Sequence, residues 1–416
     1  MKIVWLCNMT PSAVNQSRGG GGGGLWLDHV LEDIRVQKDI TLRLFCPGGT
    51  ETGRVDKQVE YVLFTEGEAH VYSEQLEEQF YRELKVFQPD VIHIWGTEYG
   101  HTLAMVNAAQ RLGLENRAAI SIQGLCSIYA RHYCEGVPEA VCHRYSLRDF
   151  LKRDNLLGQQ RRFIQRGKLE CKALEKAGHV IGRTDWDRAI TGQINPNRVY
   201  HFCNETLRQP FYEDTWQYAV CRKHRIFISS CAYAIKGFHY LLEAMPLVLA
   251  EFPDAEIVVT GDSFFKSTLP EKLRQDYYHR YLARLADKND LGDKIHFLGA
   301  LNEQQMKQAF LDCNVFVLPS TIENSPNSLG EAMLLGVPCV AADVGGVSNM
   351  LHPGQGYVYQ STAPYMLAHY IAEVFRQQER AEEMGAQARL QALETHNPEK
   401  NMRDLLEIYR LIAEDR

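Results

Sequence analysis

The sequence lacks any run of apolar residues close to the length of about 18 that a membrane-spanning helix requires. Its first residues, MKIVWLC, lead directly into a strand pattern, so we expect no secretion signal. Cations do not outnumber acids either: 45 Lys and Arg stand against 52 Asp and Glu, giving a net charge of −7. A dedicated nucleic-acid binder normally carries an excess of cations. These absences predict a cytoplasmic protein with no nucleic-acid partner.

A paired-cysteine framework is also missing. The chain has 11 cysteines, an odd number, scattered through apolar stretches in the manner of reduced, buried thiols. No compact zinc pattern occurs, because even the group His132, Cys134, Cys142 and His143 has a spacing that zinc sites do not use. We therefore expect no metal site and no cofactor.

What is present is a chain of 416 residues, 45% hydrophobic and 23% charged, which is ordinary globular composition and long enough for two domains. Short apolar runs alternate with helical patterns along the whole chain. This alternation predicts an α/β protein with doubly wound parallel sheets. We predict a first domain over residues 1–204, a polar linker over 205–223, a second domain over 224–395 and a final helical segment over 396–416.

A glycine-rich turn follows the first predicted strand. Six consecutive glycines come directly after an arginine and before a helical pattern. Such a turn lets the backbone approach a ligand closely, and phosphate is the usual ligand. A floppy surface loop explains the run as well, and no dinucleotide fingerprint can be singled out from a homopolymer. The candidate residues are Arg18, Gly19, Gly20, Gly21 and Gly22.

The most informative stretch reads STIENSPNSLGEAMLLGVPCVAADVGGV and begins at Ser320. It follows an apolar strand pattern and predicts a helix over residues 327–335. Ser325 is a good N-cap, and Pro326 suits the first helical position because its missing N–H costs nothing there. The free amides and dipole of such a helix start favour a bound anion.

Two glutamates flank that predicted anion site. Glu323 precedes the helix and Glu331 lies about one turn inside it. Carboxylates on either side of a phosphate can accept hydrogen bonds from sugar or ribose hydroxyls. A bare pair at this spacing also fits one helix-dipole partner and one solvated helix residue. The Ser-Pro, Gly-Val-Pro and Asp-Val-Gly-Gly punctuation around the pair makes the ligand site the more specific interpretation.

This region resembles the signature of the retaining family 4 glycosyltransferases. The resemblance implies the GT-B fold, in which two Rossmann-like domains face each other across a cleft and the last helix crosses back to the first domain. It implies that Glu323 contacts hydroxyls of the donor sugar, that Glu331 holds the nucleotide ribose, and that backbone amides hold the diphosphate of a UDP- or GDP-sugar. Those amides belong to Asn327, Ser328 and Leu329.

The resemblance also assigns a diphosphate clamp, and the chain departs from it. Lys236, followed by glycine, stands where the family has its lysine. The family's arginine, five positions earlier, is replaced by Cys231. We hypothesise that Arg18 or Arg183 supplies the missing charge. The turns that contain Gly261, Gly299 and Ala300 are expected to lie at the donor site, the last two beside the nucleotide base.

Other candidate residues lie at strand ends in the first domain. Glu98 and His101 follow a buried strand, where parallel sheets bind ligands, so we expect an acceptor-binding role for them. Within that strand His93 fits a satisfied core histidine better. Gln123, followed by Gly124, stands where many relatives carry a histidine that contacts the transferred sugar. A glutamine can hydrogen-bond a sugar but cannot exchange a proton near neutrality.

A basic and apolar stretch over residues 144–176 suggests a peripheral contact with anionic lipid headgroups, which would suit a lipid-linked acceptor. A solvated basic face on an ordinary helix explains it equally well. From the whole pattern we predict a metal-independent, retaining transfer of a hexosyl or N-acetylhexosaminyl group from a nucleotide sugar to a saccharide or lipid-linked acceptor, in cell-surface polysaccharide synthesis. The alternatives are a hydrolysing sugar-nucleotide epimerase and an inactive nucleotide-sugar-binding scaffold.

Overall fold

A computed structural model of the chain describes residues 1–19 and 26–414. Gly20, Gly21 and Gly22 of the predicted phosphate loop lie outside the described residues. The chain forms two compact units. The first contains Met1–Ala130, Arg162–Arg208 and His396–Arg416, and the second contains Arg131–Arg161 and Gln209–Thr395.

Short strands and helices alternate through most of the described chain, as predicted. In chain order, the strands are β1 (Lys2–Leu6), β2 (Thr41–Pro47), β3 (Thr52–Arg54), β4 (Val59–Phe64), β5 (Val91–Trp95), β6 (Ala118–Ser121), β7 (His179–Gly182), β8 (Val199–Phe202), β9 (Arg225–Ile228), β10 (Glu256–Val259), β11 (Ile295–Phe297), β12 (Val315–Leu318), β13 (Cys339–Ala342) and β14 (Tyr357–Tyr359). The helices are α1 (Ser12–Ser17), α2 (Trp26–Arg35), α3 (Glu74–Phe87), α4 (Gly100–Gln110), α5 (Cys126–His132), α6 (Glu139–Cys142), α7 (Leu147–Lys152), α8 (Leu156–Lys176), α9 (Asp185–Ile194), α10 (Phe238–Glu251), α11 (Leu269–Arg274), α12 (Tyr277–Lys288), α13 (Glu303–Asp312), α14 (Asn327–Leu335), α15 (Val347–Met350), α16 (Pro364–Arg376), α17 (Gln378–Thr395) and α18 (Pro398–Glu414). Single 3₁₀ turns occur at Glu115–Arg117, Gln209–Tyr212 and Ala234–Lys236.

The first unit is built on an eight-stranded sheet in the order β3-β4-β2-β1-β5-β6-β7-β8. The edge strand β3 pairs antiparallel with β4, and the other described pairs are parallel. The central strands are apolar and buried on both faces, as expected where helices cover both sides of a parallel sheet. The strand order reverses direction between β1 and β5, so this unit has a topological switch point there.

The final helix α18 packs on the first unit, as the resemblance implied. Ile408, Tyr409 and Ile412 are buried in one cluster with residues of β1 and β2. The Tyr409 hydroxyl accepts a hydrogen bond from Trp5 Nε1 (2.8 Å) and lies 2.6 Å from His93 Nδ1. His93 Nε2 lies 2.6 Å from Ser121 Oγ. His93 is therefore a satisfied core histidine, and burial lowers its pKa to about 3.

The second unit contains a six-stranded parallel sheet in the order β11-β10-β9-β12-β13-β14. From β9 the chain moves outward to β10 and β11, then returns to place β12 on the other side of β9. The topological switch point of this unit therefore lies between the carboxyl ends of β9 and β12. Open parallel sheets bind ligands in the crevice at such a point.

Two segments are distributed differently from the sequence-based domain division. Residues 131–161 cluster with the second unit although they precede 162–208 of the first. Residues 209–223 of the predicted linker also belong to the second unit. There Phe211 is buried against Phe310, and the buried Trp216 donates from Nε1 to the carbonyl oxygen of Cys313 (2.7 Å). These apolar side chains fix the segment to the core.

The described residues were also searched for two further features. None of the helices over 1–19 and 26–414 is long and apolar enough to cross a bilayer. In the same ranges, His, Cys, Asp and Glu side chains form no group of three that could hold a metal ion.

Candidate active site

Two strand-end turns of the second unit meet at its switch point. The turn after β9 ends at Gly237, which has φ +66° and is the N-cap of α10. A Cβ at Gly237 would overlap the carbonyl oxygen of Pro319, which follows β12. The amide of Thr321 donates to the carbonyl oxygen of Ile235 (2.8 Å). Glycine is therefore needed next to Lys236 so that the β9 and β12 turns can touch.

This contact brings the predicted lysine and glutamate together. Lys236 Nζ lies 2.6 Å from Glu323 Oε1 in an ion pair, although 87 positions separate the two residues. Ser320 Oγ donates to the same carboxylate oxygen (2.8 Å). Glu323 is buried and Lys236 is partly exposed. A buried carboxylate thus holds a cation at the open edge of the sheet.

A third strand-end turn fixes the backbone of Glu323. Gly345 has φ +55°, and a Cβ there would overlap the carbonyl oxygen of Glu323. The amide of Gly346 donates to that same oxygen (3.1 Å). Gly345 is therefore required for the close backbone approach at this turn.

The start of α14 follows this loop directly. Pro326 is the N-cap and Asn327 the first helical residue, so the prediction that Ser325 caps the helix is wrong. The Ser325 hydroxyl instead contacts Met350 Sδ (3.4 Å). The N-cap Pro326 itself makes no side-chain hydrogen bond to the first amides of α14. The helix start consequently keeps the partial positive charge of its first amides.

The amides of this helix start are not equivalent. The amide of Leu329 donates to the carbonyl oxygen of Pro326 (3.0 Å), and so does the amide of Gly330 (3.2 Å). The amides of Asn327 and Ser328 precede these first intrahelical bonds. Of the three amides predicted to hold a diphosphate, those of Asn327 and Ser328 are therefore the better placed. Glu331 lies one turn further into α14 and is buried.

Cys231 supplies no charge to this site. Its thiol is buried, and burial raises its pKa to about 11, so it stays protonated near neutrality. The two arginines considered as replacements have carboxylate partners within the first unit. Arg18 Nε lies 3.2 Å from Glu51 Oε2, and Arg183 forms a buried ion pair with Glu205.

The predicted base-side turns are joined in the second unit. Gly261 follows β10 and Gly299 follows β11, and both have positive φ. The amide of Gly261 donates to the carbonyl oxygen of Gly299 (2.9 Å). A Cβ at either position would meet no atom within 4 Å, so open space lies over both turns. The exposed Ala300 comes directly after this turn.

The first unit gathers polar side chains at its own switch point. Asn8, after β1, donates from Nδ2 to Glu98 Oε2 (3.2 Å), and its Oδ1 lies 2.8 Å from His101 Nε2. Burial raises the pKa of Glu98 to about 7, with a smaller contribution from the nearby Glu170. Burial lowers the pKa of His101 to about 3, so its ring is neutral. Burial thus brings the pKa of the Glu98 carboxyl towards neutrality.

A second polar cluster occupies the neighbouring strand ends. Gln123 Nε2 donates to Glu205 Oε1 (2.5 Å), and Arg183 Nη2 donates to the carbonyl oxygen of Ile122 (2.8 Å). The carbonyl oxygen of Gly124 accepts from Thr97 Oγ1 (2.9 Å). Gln123 therefore belongs to a network with Arg183 and Glu205. This network and the Asn8 cluster both lie at the carboxyl edge of the sheet.

Comparison with known proteins identifies the second unit. Residues 216–391 match the family profile described as glycosyl transferases group 1. The second unit belongs to this family. The match confirms the resemblance drawn from the Glu323 and Glu331 region.

Curated relatives of this family match part of the chain. A GDP-mannose-dependent monoacylated alpha-(1-6)-phosphatidylinositol monomannoside mannosyltransferase of Corynebacterium glutamicum is 29% identical over 161 residues, which are 37% of this chain and 38% of that protein. An N-acetyl-alpha-D-glucosaminyl L-malate synthase of Bacillus anthracis is 24% identical over 232 residues, which are 53% of this chain and 56% of that protein. The matched region thus spans less than two thirds of the length of these relatives.

Solved structures match nearly the whole chain. A sucrose-phosphate synthase from Thermosynechococcus elongatus aligns over 99% of both chains with a TM-score of 0.69 and 16% identity. HepE of Anabaena, solved in complex with UDP-glucose, aligns over 99% of this chain and 100% of that one with a TM-score of 0.66 and 15% identity. Identity at this level shows the fold alone, and it confirms the predicted GT-B architecture of two parallel-sheet α/β domains.

Three residues of the candidate sites were missed in the sequence. Ser320 and Asn8 each directly follow a strand pattern, and that position was the available signal. Glu205 was assigned to the start of a linker, because no local pattern connects it to Arg183. Arg183 and Glu205 are distant in sequence, and they come together only because the sheet places the ends of their strands next to each other.

Proposed function

We propose that the protein is a retaining, metal-independent glycosyltransferase that moves a hexosyl or N-acetylhexosaminyl group from a UDP- or GDP-sugar to a saccharide or lipid-linked acceptor. The observation that carries this proposal is the Lys236–Glu323 ion pair beside the start of α14, at the switch point of the second unit. The similar proteins include a GDP-mannose-dependent enzyme and a protein solved with UDP-glucose, which supports a nucleotide sugar as donor.

The leaving group needs positive charge. Breaking the anomeric C–O bond leaves negative charge on the β-phosphate of the donor. Lys236 Nζ and the amides of Asn327 and Ser328 are fixed donors that would receive this charge without a metal ion. Because the strand-end turns already hold these residues in place, little backbone reorganisation would be required during the reaction.

Glu323 has two roles in this proposal. Without a donor its carboxylate holds Lys236 and accepts from Ser320. With a donor bound, the diphosphate shares Lys236, and Glu323 accepts hydrogen bonds from hydroxyls of the donor sugar. Glu331, buried one turn into α14, would accept from the ribose hydroxyls. Retention would follow from attack by the acceptor on the face that the diphosphate leaves.

The acceptor side is assigned to the edge of the first unit that carries Asn8, Glu98 and His101. A carboxyl with a pKa of about 7 can, near neutrality, either accept a hydrogen bond from a hydroxyl of the acceptor substrate or donate one to it. We propose that the enzyme acts in the cytoplasm and contributes to the synthesis of a cell-surface polysaccharide.

Lys236→Ala tests the proposal directly. Release of UDP or GDP from candidate nucleotide sugars is measured in the presence of saccharide acceptors. We expect kcat to fall by about 10²- to 10³-fold, because one donor to the developing negative charge is removed. Glu323→Ala should reduce kcat/KM as well. Lys288→Ala changes an exposed lysine of the same unit and serves as the matched control, with activity within about twofold of wild type.

Two outcomes would contradict the proposal. If nucleotide and an epimerised sugar appear in equal amounts without any acceptor, the protein is a hydrolysing epimerase. If Lys236→Ala and Glu323→Ala bind nucleotide more weakly while the wild-type protein transfers no sugar from UDP- or GDP-sugars, the protein is a nucleotide-sugar-binding scaffold.

A further inference from the structure

Two short helices of the second unit expose large apolar side chains next to each other. On α7, Leu147, Phe150 and Leu151 are 49%, 70% and 72% exposed, and their i, i+3, i+4 spacing places them on one helix face. On α11, Leu269 and Leu273 are 70% and 42% exposed at i, i+4 spacing. Helix α7 packs against α11. We call these five side chains the α7–α11 face.

The opposite side of α7 is firmly anchored. Ser146 and Asp149 form a capping box at its start. Asp149 is buried, and its Oδ2 also accepts from the amide of Tyr277 at the start of α12 (2.8 Å). The helix therefore cannot rotate its apolar residues inward without breaking these bonds.

Helix α11 is fixed in a similar way. Thr268 and Glu271 form a capping box, with Thr268 Oγ1 donating to Glu271 Oε2 (2.8 Å). Just after the helix, the buried Gln275 donates from Nε2 to the carbonyl oxygen of Phe264 (2.6 Å). Leu269 and Leu273 are thus exposed on a helix that these hydrogen bonds hold in place.

Cations surround this face in a chain whose net charge is −7. Of the acids of the two helices, Asp149 is buried, and Glu271 is exposed and accepts from Thr268 Oγ1 in the capping box. The neighbouring exposed cations are Arg144, Lys152, Arg153, Lys272 and Arg274.

We propose that the α7–α11 face docks on a bilayer surface that contains anionic phospholipid. Leucine and phenylalanine side chains would enter the boundary between headgroups and acyl chains, while the surrounding cations bind lipid phosphates. The charge disfavours a second copy of the chain as the occupant, because two such faces would bring like charges together. Within the basic stretch 144–176, this places the contact on residues 144–153. The proposed contact also includes α11, which no sequence pattern indicated.

The test is co-sedimentation of the full chain with vesicles of phosphatidylcholine, with and without phosphatidylglycerol. No nucleotide sugar is present, so the result is independent of the proposed sugar transfer. We expect binding to the vesicles that contain phosphatidylglycerol, and we expect added salt to weaken it.

Two variants separate the apolar and charged contributions. Phe150→Ser combined with Leu151→Ser should weaken binding at least about tenfold, because two large side chains no longer leave water. Lys152→Ala and Lys272→Ala should each weaken binding about fivefold. Leu390→Ser is the matched control, since Leu390 is similarly exposed on α17 of the same unit, and it should bind as wild type does. Unchanged thermal melting verifies that each variant is folded.

Several results would overturn the proposal. One is equal sedimentation with both kinds of vesicle, and another is unchanged binding by the Phe150→Ser, Leu151→Ser variant. A third is the absence of vesicle binding together with a concentration-dependent dimer, seen by analytical ultracentrifugation, that this variant abolishes. That last result would assign the face to self-association.

Discussion

At the residue scale, the second unit holds Lys236 and Glu323 in contact before any donor arrives. An ion pair of this kind keeps the lysine at the place where a phosphate would bind, and it also competes with that phosphate. The cost is limited because Lys236 is partly exposed, and partly exposed ion pairs contribute little net free energy. Ser320, which donates to the same carboxylate oxygen, keeps Glu323 satisfied when the lysine moves.

Glu98 provides a pH-dependent prediction at this scale. Burial raises its pKa to about 7 in the folded chain, above the ordinary glutamate value. A carboxyl with a raised pKa favours the folded state at low pH, and that contribution is lost as pH rises through about 7. We expect the melting temperature of Glu98→Gln, relative to wild type, to increase between about pH 5 and pH 8.

The comparison with Glu98→Gln is needed because buried histidines act in the opposite direction. Burial lowers the pKa of His93 and His101 to about 3, so these groups reduce stability as the pH falls below their unfolded pKa. Their contribution is the same in both proteins and cancels in the difference. A difference in melting temperature that stays constant over this pH range would contradict the assignment to Glu98.

Individual residues also show what the sequence could and could not predict. Lys236 and Glu323 could be selected as candidates because each has a local sequence signal, a following glycine in one case and Ser-Pro in the other. The partners of Arg183 were not found, because Glu205 and Gln123 reach it only through the ends of neighbouring strands. Buried side-chain pairing of this kind depends on sheet order and is absent from local sequence.

At the scale of elements, α14 shows how a small change in a helix start alters a site. Pro326 is the N-cap in place of the predicted Ser325, while the first helical residue is Asn327 as expected. The sequence predicted the helix and its direction correctly. It could not fix the cap, since serine and proline both suit positions at a helix start and the choice is made by the loop that holds Glu323.

Helix α18 carries the element-scale prediction. Tyr409→Phe removes the acceptor of Trp5 Nε1 and the hydroxyl beside His93 Nδ1, leaving buried polar groups without a partner. We expect the free energy of unfolding, measured by urea denaturation, to fall by about 1–3 kcal/mol. Tyr365→Phe, at an exposed tyrosine, is the control and should change it by less than about 0.5 kcal/mol. Equal effects of the two changes would show that the buried network contributes nothing to stability.

At the scale of the whole molecule, alternation of strands and helices was enough to predict two parallel-sheet domains. It was not enough to assign residues 131–161, which cluster with the second unit. Within that unit, the carbonyl oxygen of His132 accepts from Thr321 Oγ1 (3.0 Å), and His239 Nε2 lies 3.1 Å from the carbonyl oxygen of Glu135. These are tertiary contacts of short helices, and such contacts have no periodic signal in the sequence.

The donor preference is a prediction for the whole chain. A nucleotide that binds only the folded state at 100 times its dissociation constant adds about 2.7 kcal/mol to the free energy of unfolding. We expect UDP or GDP, but not ADP, to raise the melting temperature in a thermal-shift measurement, and Lys236→Ala to reduce that rise. A rise with all three nucleotides would mean that the base-side turns do not discriminate, and the absence of any rise would contradict a donor site in the second unit.

One hydrogen bond shows in which order the two units can be completed during synthesis. Trp5 and Tyr409 are 404 positions apart, yet both lie in the core of the first unit. On the ribosome, the first strand therefore emerges long before the helix that covers it, while the second unit has all its residues once Thr395 has left the exit tunnel. The earliest part of the polypeptide is consequently the last to be completed, and a nascent chain stalled before α18 would lack the Tyr409 hydroxyl that accepts from the Trp5 indole.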